Sequence, residues 1–305
     1  LHAESEEREF TPPGGLNTTG NKTMDILHIS DIHFGPYHWS ADDSLLLDRL
    51  NAFKADLVFN TGDQTSDSLQ GEFEETRAFL SKLNCPNIVS IIGNHDKYSR
   101  RSHEMFREFI HDGQLIQPKD PSKVDKHKLF LDETKMNLDS YFTDVNYLRQ
   151  IKVDGEDILL VCIDTALFQS DFGLMEEQIL RSLADEMTKL TYDRALLLSH
   201  HPILSTDNDP LISSRRVTDF VLDQGIEAVF CGHTHEVDIV KLSDLVRGRG
   251  FRQFTSGSLS SANVSRDTNM FCTYENFGTP AEVITITRMT PTVDGLEFTE
   301  TVVGR

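Results

Sequence analysis

The apolar positions of this chain fall into short runs separated by amphipathic stretches. "DILHIS" (Asp25–Ser30), "DLVFNT" (Asp56–Thr61) and "NIVSIIG" (Asn87–Gly93) have strand length. Between them, Leu46, Leu50 and Phe53 share one helical face, and Phe73, Leu80 and Leu83 mark a second helix. Short apolar runs bridged by helical spacing predict a βαβαβ unit, a layered sheet with helices on its faces. After Asp96 the pattern breaks. Met105, Phe106 and Phe109 fit a short helix, and "QPKDPSKVDKHK" is polar and rich in turn residues. Residues 97–144 therefore read as an insertion across one mouth of the sheet.

Strands resume at "YLRQIKV" and "DILLVCID", joined by the turn "DGED". Ile179, Leu183, Met187 and Leu190 stripe a helix, "RALLLSH" is a further strand, and Val217, Phe220 and Val221 line another helix. Ser213 or Ser214 is available to cap that helix and Gly225 to stop it. "EAVFCG" is the next strand. Beyond Phe251 strands alternate with turns and the βα rhythm is lost. The expected result is an α/β fold in which a second sheet packs on the first within one domain, residues 24–305. Residues 1–23 are polar, with Pro, Gly, Ser and Thr, and read as a tail or linker. They start without methionine and lack the order of a signal peptide, so a processed or truncated end, or a module of a longer protein, is expected.

Charge narrows the partners. Acidic residues number 49 against 29 basic, a formal net charge of -20. Such a surface repels polyanions, so long nucleic acid is disfavoured. A small phosphorylated substrate is not, because bound cations invert the local field. The four cysteines, Cys85, Cys162, Cys231 and Cys272, are far apart and form no CxxC pair. They read as small hydrophobes in a reducing compartment, so a cytoplasmic location is expected. No run of 18 apolar residues is present to span a membrane.

The chemistry sits where the strands stop. Successive runs end in Asp31-Ile-His33, Gly62-Asp63, Gly93-Asn94-His95-Asp96, His200-His201-Pro202 and Gly232-His233-Thr-His235. Six of the twelve histidines stand in these clusters. Ligands of open α/β sheets lie beyond the carboxyl ends of the strands, so parallel strands would bring all five clusters to one edge. Two carboxylates, four imidazoles and one amide oxygen form a mixed oxygen and nitrogen donor set. That set suits two divalent ions, Mn or Fe with Zn as a further option, better than the all-oxygen sites of Ca or Mg. In Asp31-x-His33 and His233-x-His235, a strand period of two would point both side chains of a pair the same way. Glycines 62, 93 and 232 would let the backbone turn tightly.

The motifs "DIHFG", "GDQ", "GNHD", "SHHP" and "GHTH", in this order between residues 31 and 235, make the chain resemble the calcineurin-like metallophosphoesterase family. The resemblance reaches single-domain bacterial members, cyclic-nucleotide phosphodiesterases among them. It implies a four-layer α-β-β-α sandwich of two mixed sheets. It also implies one metal on Asp31, His33, Asp63 and His235, and a second on Asp63, Asn94, His200 and His233, with Asp63 bridging. His95 would face the phosphate with Asp96 as its orienting carboxylate. His201 would be a pocket residue, with an exchange of roles between His200 and His201 as the alternative. The implied reaction is attack by a metal-bridging hydroxide on a phosphoester.

On this basis the chain is expected to be a binuclear-metal phosphodiesterase acting on a small nucleotide-type substrate such as a cyclic nucleotide. A nuclease, or a phosphomonoesterase or pyrophosphohydrolase, is the alternative within the family, and a non-catalytic or regulatory module the alternative outside it. Lys97, Arg100 and Arg101 lie where further anionic groups of a substrate could sit, Arg100 being the best placed. Asn263 and Arg266 are further candidate substrate contacts. "RGRGFR" (Arg247–Arg252) is either a basic patch for a polyanion or a loop feeding the next strand.

Overall fold

The computed structural model describes residues 23–111, 115–119, 142–205, 210–263 and 268–303. Lys126 and Lys128, candidates in the polar run for gripping a ligand, and the N-terminal tail up to residue 22 lie outside them.

The βαβαβ start is present. β1 (Ile26–Ile29), β2 (Leu57–Asn60) and β3 (Ile88–Ser90) are parallel neighbours linked through α1 (Asp43–Ala52) and α2 (Gln70–Leu80). Asp42 starts α1 by accepting the Ser44 N–H at 2.8 Å, which satisfies one of the amides a helix start leaves open. β3 is shorter than its apolar run, because Ile91 to Gly93 already leave the sheet toward the site. A 3₁₀ turn (His95–Lys97) and α3 (Ser102–Phe109) follow, with Met105, Phe106 and Phe109 packed on Phe73 of α2.

β4 (Tyr147–Val153) and β5 (Glu156–Ile163) form a hairpin. Its two turn residues, Asp154 and Gly155, have φ of 46° and 83°, the conformation that matches the twist of paired strands. α4 (Glu177–Met187), β6 (Arg194–Ser199), α5 (Ser214–Gln224) and β7 (Ala228–Cys231) then make β5, β6 and β7 parallel. Gly225 ends α5 in the left-handed conformation, φ 68°. Ser213 stands at the N-cap position but does not cap. Its hydroxyl accepts the Met175 N–H at 2.6 Å and ties the helix start to the loop after β5.

The C-terminal strands differ from expectation. They do not build a sheet of their own. β8 (Asp238–Asp244) and β9 (Arg249–Thr255) extend the second sheet, in the order β4-β5-β6-β7-β9-β8. β10 (Met270–Glu275), β11 (Val283–Thr292) and β12 (Gly295–Val303) cross back and give the first sheet the order β12-β11-β10-β1-β2-β3. β10 pairs antiparallel with β1, whose free edge would otherwise expose a row of unpaired backbone groups.

Strand alternation sorts the core into layers. Ile26, Phe59, Leu160, Leu198 and Phe230 meet between the sheets. Leu27, Ile29 and Val58 face outward onto Leu46, Leu50 and Phe79 of α1 and α2. Leu159, Val161 and Leu197 face the other way onto Ile179, Leu183 and Val217 of α4 and α5. The result is a four-layer α-β-β-α sandwich with helices outside both mixed sheets. The four cysteines are unpaired, and three of them are buried. Among the described residues no helix is long and apolar enough to cross a membrane.

A buried ion pair ties the segment after β3 to the segment after β5. The Lys97 ammonium lies 2.5 Å from the Asp164 carboxylate and 2.7 Å from the Ala166 carbonyl. Lys97 is therefore spent inside the protein and is not a substrate contact. Breaking a buried pair by removing one partner leaves the other charge stranded. Lys97→Met should lower unfolding free energy by about 3–5 kcal/mol in urea denaturation. A loss below about 1 kcal/mol, the scale of exposed pairs, would show that this pair does not hold the loops.

Candidate metal centre and active site

The carboxyl ends of β1, β2, β3, β6 and β7 bring Asp31, His33, Asp63, Asn94, His200, His233 and His235 together at one edge of the two sheets. Asp31, His33 and His235 can each turn a ligand atom into one cluster within 4.8 Å, and so can Asp31, Asp63 and His200. His33 Nε2 lies 3.2 Å from His235 Nε2, which lies 3.3 Å from Asp31 Oδ1. Asp63 Oδ2 lies 3.3 Å from His200 Nε2. Asn94 Oδ1 lies 2.8 Å from His200 Nε2 and 3.1 Å from His233 Nδ1. Asp63 thus stands between the two halves of the set.

The route to this convergence differs from a strand pleat. Asp31, His33, Asp63, His233 and His235 all have positive φ, between 51° and 72°. Each side chain is turned inward by a left-handed backbone, a conformation that costs about 1–3 kcal/mol per residue and collects at functional sites. Buried hydrogen bonds hold it: Asp31 N–H to the Gly62 carbonyl at 2.9 Å, and His33 N–H to the Asp63 carbonyl at 3.0 Å. Ser258 and Ser260 hydroxyls donate to the Asp31 and Ile32 carbonyls. Of the three glycines, only Gly62 is there for its turn, with φ 103°. Gly93 and Gly232 supply space, since a Cβ would stand 2.1 Å from Asp63 Oδ1 and 2.6 Å from Asp31 Oδ2.

Hydrogen bonds fix which atoms face inward. His200 Nδ1 lies 2.8 Å from the Thr61 carbonyl. A carbonyl only accepts, so Nδ1 carries a hydrogen, and Nε2, the nitrogen left for a proton or a metal, faces Asn94 Oδ1 and Asp63 Oδ2. Asn94 Nδ2 donates to Asp171 Oδ1 at 3.1 Å, which holds the amide with its oxygen inward. With Nε2 unprotonated, as a metal ligand is, the inner atoms are acceptors facing acceptors, and Asp31 Oδ1 is buried without a hydrogen bond. Such a set requires positive charge at its centre, and two divalent cations fit it. His201 is arranged differently. Its Nε2 donates to the Asp171 carbonyl at 2.9 Å, so Nδ1 accepts from the Thr165 hydroxyl at 2.9 Å. Neither nitrogen is left for a ligand, which favours His200 in that role.

Charge follows the same geometry. Burial alone would lower His200, but the Asp63 and Asp31 carboxylates and the Thr61 carbonyl raise it to about 9. Burial opposes ionisation of Asp63, yet the neighbouring His200 and His95 imidazoles hold it well below the usual carboxylate range. Burial brings His33 down to about 4, keeping that imidazole neutral and able to ligate.

His95 stands beside this set with its backbone N–H on Asp63 Oδ1 at 2.8 Å. Its Nδ1 lies 2.9 Å from the Ser66 carbonyl and so carries the hydrogen, which leaves Nε2 for a substrate. Asp96 is not the orienting group. Its carboxylate accepts from Thr65 N–H and Oγ1, Gln64 Nε2 and Gly93 N–H, all at 2.8–2.9 Å, and fastens the β2 loop to the β3 loop. Burial, with the Asp63 carboxylate nearby, raises Asp96 to about 7.

A cavity of about 390 Å³ opens beside the cluster, lined by His33, Tyr37, His95, His235, Ser261, Ala262 and Asn263. Asn263 is where a substrate contact was expected. Arg100 is exposed and not among the lining residues, Arg101 pairs with Glu104 at the surface, and Arg266 lies outside the described residues. The "RGRGFR" segment is the end of the β8–β9 turn feeding β9. Arg247 pairs with Asp219, Asp223 and Asp244, Arg249 donates to the Leu222 and Asp223 carbonyls, and Arg252 pairs with Glu282. It is no basic patch. Residues that the sequence pattern did not single out are Asp171, Tyr37 and the Ser66 and Thr61 carbonyls. The run from Asp164 to Asp171 after the fourth parallel strand was the available signal for the first.

A model of the calcineurin-like phosphoesterase family matches residues 24–237. A probable glycerophosphodiester phosphodiesterase of Arcobacter nitrofigilis is 23% identical over 191 residues, spanning 60% of this chain and 58% of that relative. The match thus covers less than two thirds of the relative's length. Among solved structures, a purple acid phosphatase from yellow lupin (Lupinus luteus) seeds superposes with TM-score 0.54 at 10% identity, over 93% of this chain and 54% of its own. GAP50, the anchor in the inner membrane complex of Plasmodium, superposes with TM-score 0.52 at 10% identity, over 93% and 90%. These two establish the likeness of fold.

If Asp63 serves both halves of the set, Asp63→Ala should reduce bound metal from about two ions per chain to less than one. Elemental analysis of dialysed protein reads this, and an unchanged content would exclude the shared role. Asp171→Ala frees the Asn94 amide to rotate and should weaken the cation nearest Asn94 about 10–100-fold. Asp171→Asn, which can still accept from Asn94, should bind more tightly than Asp171→Ala in metal titration. Equal affinities would show that this hydrogen bond does not orient the amide.

Proposed function

The chain belongs to the calcineurin-like phosphoesterase family of metal-dependent hydrolases, and we propose that it cleaves a small phosphodiester of nucleotide type, a cyclic nucleotide being one such substrate. The observation that carries this is a complete inward-facing donor set beside an open cavity of nucleotide size, about 390 Å³. Asp31, His33, Asp63 and His235 would hold one divalent cation. Asp63, Asn94, His200 and His233 would hold the other. The mixed oxygen and nitrogen donors suit Mn, Fe or Zn. Bound there, the two ions would neutralise the ester's charge and acidify a water so that it can attack phosphorus.

The protein's own part is to orient. Thr61 and Asp171 fix which atoms of His200 and Asn94 point inward. The Ser66 carbonyl presents His95 Nε2 to the cavity, where the doubly protonated imidazolium would hydrogen-bond a phosphoryl oxygen or give its Nε2 proton to the departing alkoxide. Asp96 acts one step further out, by fastening the loop that carries His95.

Charge favours a diester over a monoester. Among the described residues, no lysine or arginine lines the cavity. A monoester carries a second negative charge above its pKa of about 6, and a diester does not. The glycerophosphodiester named in the Arcobacter relative is also a diester, with an alkyl rather than a nucleoside alcohol. The nuclease alternative loses its support, since Arg247, Arg249 and Arg252 are all engaged within the fold. The complete donor set disfavours a non-catalytic role.

With Mn supplied, kcat/KM for a phosphodiester should exceed that for a monoester of the same alcohol, and chelation should abolish both activities. Faster monoester hydrolysis would overturn the substrate class. His95→Ala should lower kcat about 10²–10⁴-fold while bound metal stays at the wild-type level. Loss of metal together with activity would make His95 a ligand instead.

A further inference from the structure

One wall of the cavity is unlike the rest. Tyr37 is 51% exposed, and of the exposed large apolar side chains among the described residues only it and Phe172 are aromatic. Only Tyr37 of these two lines the cavity. Its ring stands nearly perpendicular to those of His95, centroids 5.7 Å apart, and His33, 6.3 Å apart. With half of its surface exposed, the residue presents its ring to the cavity.

The backbone beneath it is clamped on both sides although it lies in a loop. Tyr37 N–H donates to the Ser66 hydroxyl at 3.0 Å, and its carbonyl accepts the Ala262 N–H at 2.7 Å. The next two residues are fixed as well. His38 Nε2 lies 3.1 Å from Asp43, and Trp39 N–H donates to the Ser260 carbonyl at 2.8 Å. The ring is therefore presented on a rigid support, which keeps low the ordering cost of binding a partner. Packing against its neighbours does not explain an aromatic residue that half of its surface leaves to solvent. A planar ligand group does, since stacking on a tyrosine face tolerates any base or aryl ring.

Building on the phosphodiesterase reading, we propose that Tyr37 determines specificity by stacking against a planar group, a nucleobase or aryl ring, carried by the ester next to the metal centre. Ser261 and Asn263, on the segment paired beside Tyr37, line the same cavity with polar side chains. The preferred substrates are then nucleoside and aryl diesters rather than alkyl ones.

The test compares wild type, Tyr37→Ala and Tyr37→Phe, each loaded with Mn. Calorimetry gives the affinity for adenosine 5′-monophosphate relative to inorganic phosphate. Kinetics give KM for a cyclic nucleotide relative to glycerophosphoethanolamine. Tyr37→Ala should lower both preferences by about tenfold or more, mainly in KM, and Tyr37→Phe should restore them to within about twofold because the ring remains. Unchanged preferences in Tyr37→Ala, or a Tyr37→Phe as impaired as Tyr37→Ala, would overturn the stacking role and leave the phosphodiesterase reading standing. Absence of any diester hydrolysis by wild type would remove that reading, and this assignment with it.

Discussion

The site turns on one electrostatic constraint. His200 gives its Nδ1 hydrogen to the Thr61 carbonyl, so its other nitrogen, unless protonated, presents a lone pair to the Asn94 and Asp63 oxygens at 2.8 and 3.3 Å. Buried acceptors facing acceptors repel unless a positive charge stands between them. A proton can supply it, which is why the carboxylates around His200 raise its pKa so far, and a divalent cation supplies it better. The surrounding structure keeps these atoms from moving apart. Five left-handed residues aim the ligands inward. Asp96 fastens two of the loops, and the serines of the segment before β10 fasten a third. Backbone strain at the site is thus held by hydrogen bonds one layer behind it.

The same constraint suits an acidic protein. A net charge of -20 would repel a phosphate ester at long range. The centre reverses that only locally, within the screening distance of about 10 Å at 0.1 M salt. A small ester can enter such a field and a long polyanion would still meet the acidic surface. The arginines of the β8–β9 turn do not bridge the difference, three acidic side chains surrounding Arg247 alone.

Much of this was legible in the sequence, because parallel strands with apolar interiors bring their carboxyl ends to one edge whatever the loops do. The apolar runs Ile26 through Ile29 and Ile158 through Ile163 marked buried strands, the four layers came through the family resemblance, and the residues after five of the runs gave the donors. What escaped depended on backbone conformation and on distant contacts. Asp31 and His33 look like a pleated pair and are instead two left-handed turns. Asp96 sits next to His95 in the chain, yet its partners are Thr65 and Gln64, about thirty residues away. Asp171 and Tyr37 lie in irregular segments with no period to mark them. The return of β10 to β1 is a long-range pairing that local hydrophobicity does not encode.

Anomalous diffraction from crystals loaded with Mn tests the central claim most directly. Two peaks about 3.5–4 Å apart, with the Asp63 carboxylate between them and Asn94 Oδ1 and His200 Nε2 on one of the pair, are the predicted result. A single peak, or a pair that leaves Asp63 outside its coordination, would contradict it.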